Sequence, residues 1–138
     1  MRLVLFLAAD YANVTGDGKL NVMGVFNEIY AYNFPARHSA MHIVVKLMGE
    51  LGEYDQKRNL IVKLLDPDGN QIVDLSVEVN IPSPKSGRKS EVNAIFGIGD
   101  IIFPKPGPYQ FVALVDKDHK GELTIYVNKI DAPIASAD

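Results

Sequence analysis

The sequence predicts an all-β fold: an antiparallel two-sheet β-sandwich, immunoglobulin-like or jelly-roll-like, with about eight strands. Three observations predict it. Apolar and polar residues alternate with period two in segment after segment, which gives strands with one dry and one wet side. Turn chemistry rich in Gly, Pro and Asp separates those segments at short intervals. No helix-sized window holds apolar residues at sustained helical spacing.

The first strand is expected over residues 3–9, where the run up to Ala8 is apolar on both faces. Such a strand is central or covered on both sides. Arg2 followed by an apolar run imitates a secretory signal at residues 1–9. The run is short for a signal, Asp10 ends it, and turn and strand chemistry follow directly. It therefore reads as a core strand, and the protein as cytoplasmic.

Residues 20–29 form the expected second strand, with Gly24 marking a bulge or bend. The third alternates Met41, Ile43, Val45 and Leu47 against His42, Val44 and Lys46. Residues 50–58 are mostly polar and contain Gly52, so at most a turn is expected there. Leu60, Val62 and Leu64 make the fourth strand's dry face, with Lys63 outward. The fifth is the clearest: Val73, Leu75, Val77, Val79 and Ile81 oppose Asp74, Ser76, Glu78 and Asn80.

Residues 91–103 are too long for one flat strand. Gly97 and Gly99 are expected to bend it or pass it between sheets. Residues 109–115 are again apolar on both faces, and Leu123, Ile125 and Val127 alternate with Thr124, Tyr126 and Asn128. Thr15-Gly16-Asp17-Gly18 precedes the second strand, and Asp66-Pro67-Asp68-Gly69 predicts a hairpin between the fourth and fifth. A second hairpin tip is expected at 118–121. Residues 131–138 read as a flexible tail, leaving 1–130 as a single domain.

Composition narrows the function. The 138 residues contain no cysteine, which excludes disulfides, thiolate metal sites and cysteine catalysis. Net charge is −3, from 14 basic and 17 acidic side chains. With no basic excess, no nucleic-acid partner is expected. No apolar run approaches the ~20 residues of a membrane-crossing helix, so no membrane insertion is expected.

The run Asp17-Gly18-Lys19-Leu20-Asn21-Val22-Met23-Gly24-Val25-Phe26 resembles a motif of an uncharacterised bacterial family of small proteins of unknown function. So do the Asp66-Pro67-Asp68-Gly69 turn and the strand start Pro106-Gly107-Pro108-Tyr109-Gln110-Phe111. The resemblance covers nearly the whole chain. These motifs are turns and strand starts, so the resemblance implies the fold and no catalytic residue. A Pro-Gly-x-Tyr strand start is also common in immunoglobulin-like and carbohydrate-associated sandwiches.

Each familiar site type fails on its residues. His38-Ser39 are neighbours on extended chain and point apart, and no Gly-x-Ser-x-Gly elbow occurs. His38 and His42 have metal-pair spacing only on a helix, which Pro35 and the following strand oppose, and His119 lies in the expected hairpin. The run from Asp116 to Glu122 imitates half a calcium loop but places Lys120 among the ligands. Asp66 and Asp68 fit turn chemistry before acid/base chemistry. Gly97-Ile98-Gly99 lacks the helix that a phosphate cradle needs, and Asn13-Val14-Thr15 is a chance glycosylation match. No catalytic residue, cofactor or metal is expected.

Two loops remain. Residues 30–40 gather Tyr30, Tyr32 and Phe34 with Arg37 and His38, a set suited to sugar rings or a protein partner. The plainer reading has the aromatics continuing strand two over the core edge. Residues 81–90 hold Pro82, Pro84, Lys85, Arg88 and Lys89, which make a solvated loop able to meet an anion. The expectation is a non-catalytic interaction or assembly module that binds a protein partner, or itself, through a sheet edge or face. The alternatives are a carbohydrate or small-ligand domain using loop 30–40, and an enzyme with an unrecognised site.

Overall fold

The computed structural model describes residues 1–85 and 87–131; the expected tail, residues 131–138, lies outside them except for Asp131. The chain forms nine strands and, among the described residues, no helix. In order they are β1 (Arg2–Val14), β2 (Leu20–Phe26), β3 (Glu28–Ala31), β4 (Ala36–Met48), β5 (Lys57–Leu65), β6 (Gln71–Asn80), β7 (Glu91–Phe103), β8 (Gly107–Val115) and β9 (Asp118–Lys129). A four-stranded sheet runs β2-β1-β4-β7 and a five-stranded sheet runs β3-β9-β8-β5-β6. Both sheets contribute to one buried cluster, as a two-layer packing requires.

The strand count corrects the sequence expectation of eight. What reads as one strand over 20–29 is two strands in different sheets. β2 ends at Phe26, Asn27 alone makes the crossing, and β3 begins at Glu28. β3 then pairs with β9 in parallel, from Glu28 opposite Tyr126 to Ala31 opposite Lys129, so the sheets are not wholly antiparallel. A strand that arrives by crossing, without a hairpin, has no turn to force its direction. The Tyr126 amide donates to the Asn27 carbonyl at 2.8 Å and the Ile130 amide to Ala31 at 2.9 Å, which ties both ends of β3 down.

The dry faces read from alternation hold in the interior. Met41, Ile43, Val45, Leu47, Leu60, Val62 and Leu64 are fully buried. β8 is central, between β9 and β5, with Tyr109, Phe111, Ala113 and Val115 inward. Val77 departs from its neighbours at 40% exposed, because β6 is an edge strand with nothing beyond it in its sheet. Residues 50–56 make turns, as expected, while Lys57 and Arg58 already belong to β5.

β7 does not pass between sheets. It pairs with β4 along its whole length, from Ala36 opposite Phe103 to Met48 opposite Glu91. Instead both strands change phase together. In β4 the buried positions are Met41, Ile43 and Val45 on one side of Ser39-Ala40 but Ala36 on the other, and in β7 they pass from Ile98 to Ile101 and Phe103. The residue that turns the backbone is Asp100, at φ 54, and not Gly97 or Gly99. As a result His38 shares the inward side with Ala36, whereas Arg37 points out.

The turns obey their chemistry. Asp66 accepts the Asp68 and Asn70 amides at 2.9 and 2.8 Å, and Gly69 takes the left-handed φ of 87 that closes the hairpin. The second hairpin tip is Asp116-Lys117, two residues earlier than expected. Both have positive φ, 48 and 76, which is the two-residue turn that matches strand twist. Tyr109, wholly buried, donates its hydroxyl to the Lys105 carbonyl at 2.7 Å and crosses Phe103 edge-on at 4.9 Å. This contact fixes the link from β7 to β8.

Candidate functional site

The residues of the expected 30–40 loop do not form a loop. Tyr30 belongs to β3, Arg37 and His38 belong to β4, and only Tyr32 to Pro35 connect the two strands, through a cis Phe34–Pro35 bond. Tyr30 is exposed and donates to Glu28 Oε2 at 3.1 Å, which raises its pKa above the usual phenol value. Tyr32 is exposed, while Phe34 packs on the buried cluster. Arg37 is held at the surface by Asp100, Nη2 to Oδ1 at 2.6 Å.

His38 turns inward against Phe26, with ring centroids 5.8 Å apart, and its buried Nε2 has no hydrogen-bond partner among the described residues. The structure therefore gathers Tyr30 and His38 and separates them from Arg37. With Asp10, Phe26, Glu28 and Ile29 they line a groove of about 290 Å³ where β2 hands the chain to β3.

His42 projects from the other side of the sheet, where it meets Tyr11 edge-on at 5.1 Å. His38 and His42 therefore share no face, because β4 changes phase between them. No group of three His, Asp or Glu side chains able to hold a metal occurs among the described residues. The acidic turns are occupied structurally: Asp68 pairs with Lys105, and Asp116 accepts the Asn59 amide at 2.9 Å. Lys89 of the basic loop pairs with Glu50 at 3.2 Å.

The feature that the alternation pattern concealed is on the four-stranded sheet. Residues directly opposite one another share a face. The register places Leu7 opposite Val44, and Val44 opposite Ile95; Ala9 stands opposite both Val25 and His42, and Tyr11 opposite Met23. This face is the outer one, since Leu5, Leu7, Ala9, Val25, Val44 and Ile95 neither belong to nor pack on the cluster between the sheets. The expectation that β1 is central or doubly covered is met by its place between β2 and β4; on its outer side Leu5 and Leu7 are half-buried and Ala9 is wholly buried. Met23 is 65% exposed and Val25 61%.

A family model described as a family of unknown function, DUF6941, matches residues 4–128. The chain belongs to this family. The match begins in β1 and ends in β9, so the nine-strand framework is that of a DUF6941 member. The groove and the apolar outer face both lie within the DUF6941 span. No curated protein matches the chain. The sequence signal that could have found the outer face was present: Leu5, Leu7 and Ala9 in β1, Val44 in β4 and Ile95 in β7 are each an apolar residue on a strand's supposedly wet side.

Proposed function

We propose that the protein is a non-catalytic interaction and assembly module that docks a protein partner on the outer face of its four-stranded sheet. One observation carries this reading. Val25, Met23 and Tyr11 stand exposed together on that face, at 61, 65 and 49%, beside the half-buried Leu5, Leu7 and Ile95, with Val44 wholly buried among them. Soluble chains rarely leave a contiguous apolar patch of more than a few hundred Å² open, and those that do use it for contact.

The scaffold suits that role. We read its paired sheets as an antiparallel sandwich of immunoglobulin-like kind apart from β3, since β1–β2, β5–β6 and β8–β9 are hairpins within a sheet. A non-catalytic role is supported by the use of Asp66, Asp68, Arg37 and Asp116 in turns and ion pairs.

The test is site-directed photo-crosslinking in the source cells. A benzophenone side chain in place of Val25 is expected to crosslink to protein. The same group in place of Tyr126, on the opposite sheet, is expected not to. Equal labelling from both positions, or none from position 25, would overturn the reading.

A further inference from the structure

We propose that the seam between β6 and β7 takes an extended peptide segment of a partner protein, basic at alternate positions, which pairs with β6 as an added strand. This site lies apart from the outer face of the four-stranded sheet and does not rest on that reading.

The backbone selects β6. Of the four edge strands, β2 is interrupted by Gly24 at φ 70, β3 is four residues long, and β7 is turned by Asp100 at φ 54. β6 runs ten residues, Gln71–Asn80, with no Gly, no Pro and no positive φ. It pairs with β5 on one side alone, so alternate amides and carbonyls face outward without a backbone partner among the described residues. Another extended backbone matches such a row of donors and acceptors.

The seam has room for the side chains of that strand. Two grooves lie along it, one of about 410 Å³ between residues 76–80 and 92–96 and one of about 380 Å³ between residues 72–73 and 98–102. Val73, Leu75, Val92, Ala94 and Phe96 are only half-buried there and Val77 is 40% exposed, whereas Val62 and Leu64 in the adjoining β5 are wholly buried. Every second side chain of an added strand completes this burial. Asn93, which lines the first groove, has a buried Oδ1 with no hydrogen-bond partner among the described residues.

Charge names the occupant. β6 carries Asp74 and Glu78, β7 carries Glu91 and Asp100, and neither strand holds a lysine or arginine. On the β5 side Lys63 stands opposite Asp74, and Lys57 lies 3.9 Å from Glu78. On the edge side nothing described meets either carboxylate. A second copy pairing edge to edge, antiparallel and centred on Ser76, sets Asp74 against Glu78, and like charges directly opposite oppose pairing. Lysine or arginine on a partner strand instead gives both carboxylates a cation across the ladder.

The experiment is fluorescence anisotropy on the full chain with labelled nine-residue peptides. A peptide of alternating lysine and valine is expected to bind saturably. Its counterpart with glutamate for lysine, and the lysine peptide with its amides N-methylated, are each expected to bind about tenfold or more weakly. Asp74→Lys with Glu78→Lys is expected to reverse the preference between lysine and glutamate. Both side chains are exposed, so the fold does not depend on them. Tyr126→Lys, on β9 about 14 Å away across β8 and β5, is the control expected to leave affinity unchanged, since salt screens charges beyond about 8 Å. Hydrogen exchange of the amides over 71–80 is expected to slow when the lysine peptide saturates. No binding at about 1 mM peptide, equal binding of the lysine and glutamate peptides, undiminished binding after N-methylation, or unchanged exchange over 71–80 overturns the inference. Crosslinking from position 25 reads the outer face alone, so either claim can fail without the other.

Discussion

Leu7 of β1 stands directly opposite Val44 of β4, and both side chains point away from the core between the sheets. Val44 is wholly buried all the same, so Val44→Ala is expected to cost about 1–3 kcal/mol in urea unfolding. A loss below about 0.5 kcal/mol would show that water reaches the outer side of β4.

Tyr109→Phe keeps the buried ring and removes its hydroxyl. The Lys105 carbonyl and amide, bonded to that oxygen at 2.7 and 3.2 Å, lose their shared partner. The expected cost is about 1–3 kcal/mol in urea unfolding, since groups left unsatisfied cost more than a bond contributes. A change below a few tenths would show that water reaches the link and replaces the hydroxyl.

Gly24→Ala meets two penalties of different origin. The residue sits at φ +70, and an added Cβ would lie 2.8 Å from the Asp10 Cγ opposite it. A loss of about 1–3 kcal/mol is expected. The double variant with Asp10→Ala is expected to recover the steric part and leave roughly 1 kcal/mol of backbone cost. Additive losses in the double variant would contradict the contact.

Phe34→Ala and Tyr32→Ala are expected to part company. Phe34 packs on the buried cluster and its truncation should cost about 1–3 kcal/mol. Tyr32 is exposed and its truncation should stay within about 0.5 kcal/mol. Chemical denaturation of the two variants decides it, and equal losses would place both in the core.

Acid should loosen the β5–β6 hairpin. The Asn70 amide, and after it the Asp68 amide, hold the Asp66 carboxyl below its ordinary pKa. A carboxyl lowered by folding stabilises fully above its unfolded pKa and loses that contribution as pH falls through the folded one. Melting temperature is expected to drop from about pH 5 downward, and less steeply in Asp66→Asn. Identical pH profiles would remove Asp66 from the account.

Much of this fold was legible, and the exceptions have physical causes. Leu60, Val62 and Leu64 announced β5 because each strand residue alternates faces and one face is dry. Asn27 did not announce a crossing, since one extended residue between two extended runs leaves no break in pattern. The parallel pairing of β3 was invisible for the same reason: direction is set by what the strand meets, not by its residues. Among the site residues, Tyr30, Tyr32, Phe34, Arg37 and His38 were neighbours in sequence, but an extended chain throws neighbours to opposite sides. Arg37 and His38 were parted in this way. The apolar side chains of Leu7, Val44 and Ile95 were visible throughout, yet assembling them into one surface required the register of three strands.

The joint change of phase at Ser39-Ala40 and Asp100 turns β4 and β7 into one ribbon given a half-twist. On such a ribbon, length is constrained more tightly than identity. Deleting Ala40 would rotate everything before it by one position, pushing Ala36 and His38 into solvent and drawing the Arg37 guanidinium toward the core, while a conservative replacement at any one position would pass almost unnoticed. Members of DUF6941 are therefore expected to vary in the letters between Pro35 and Met41 but not in their number.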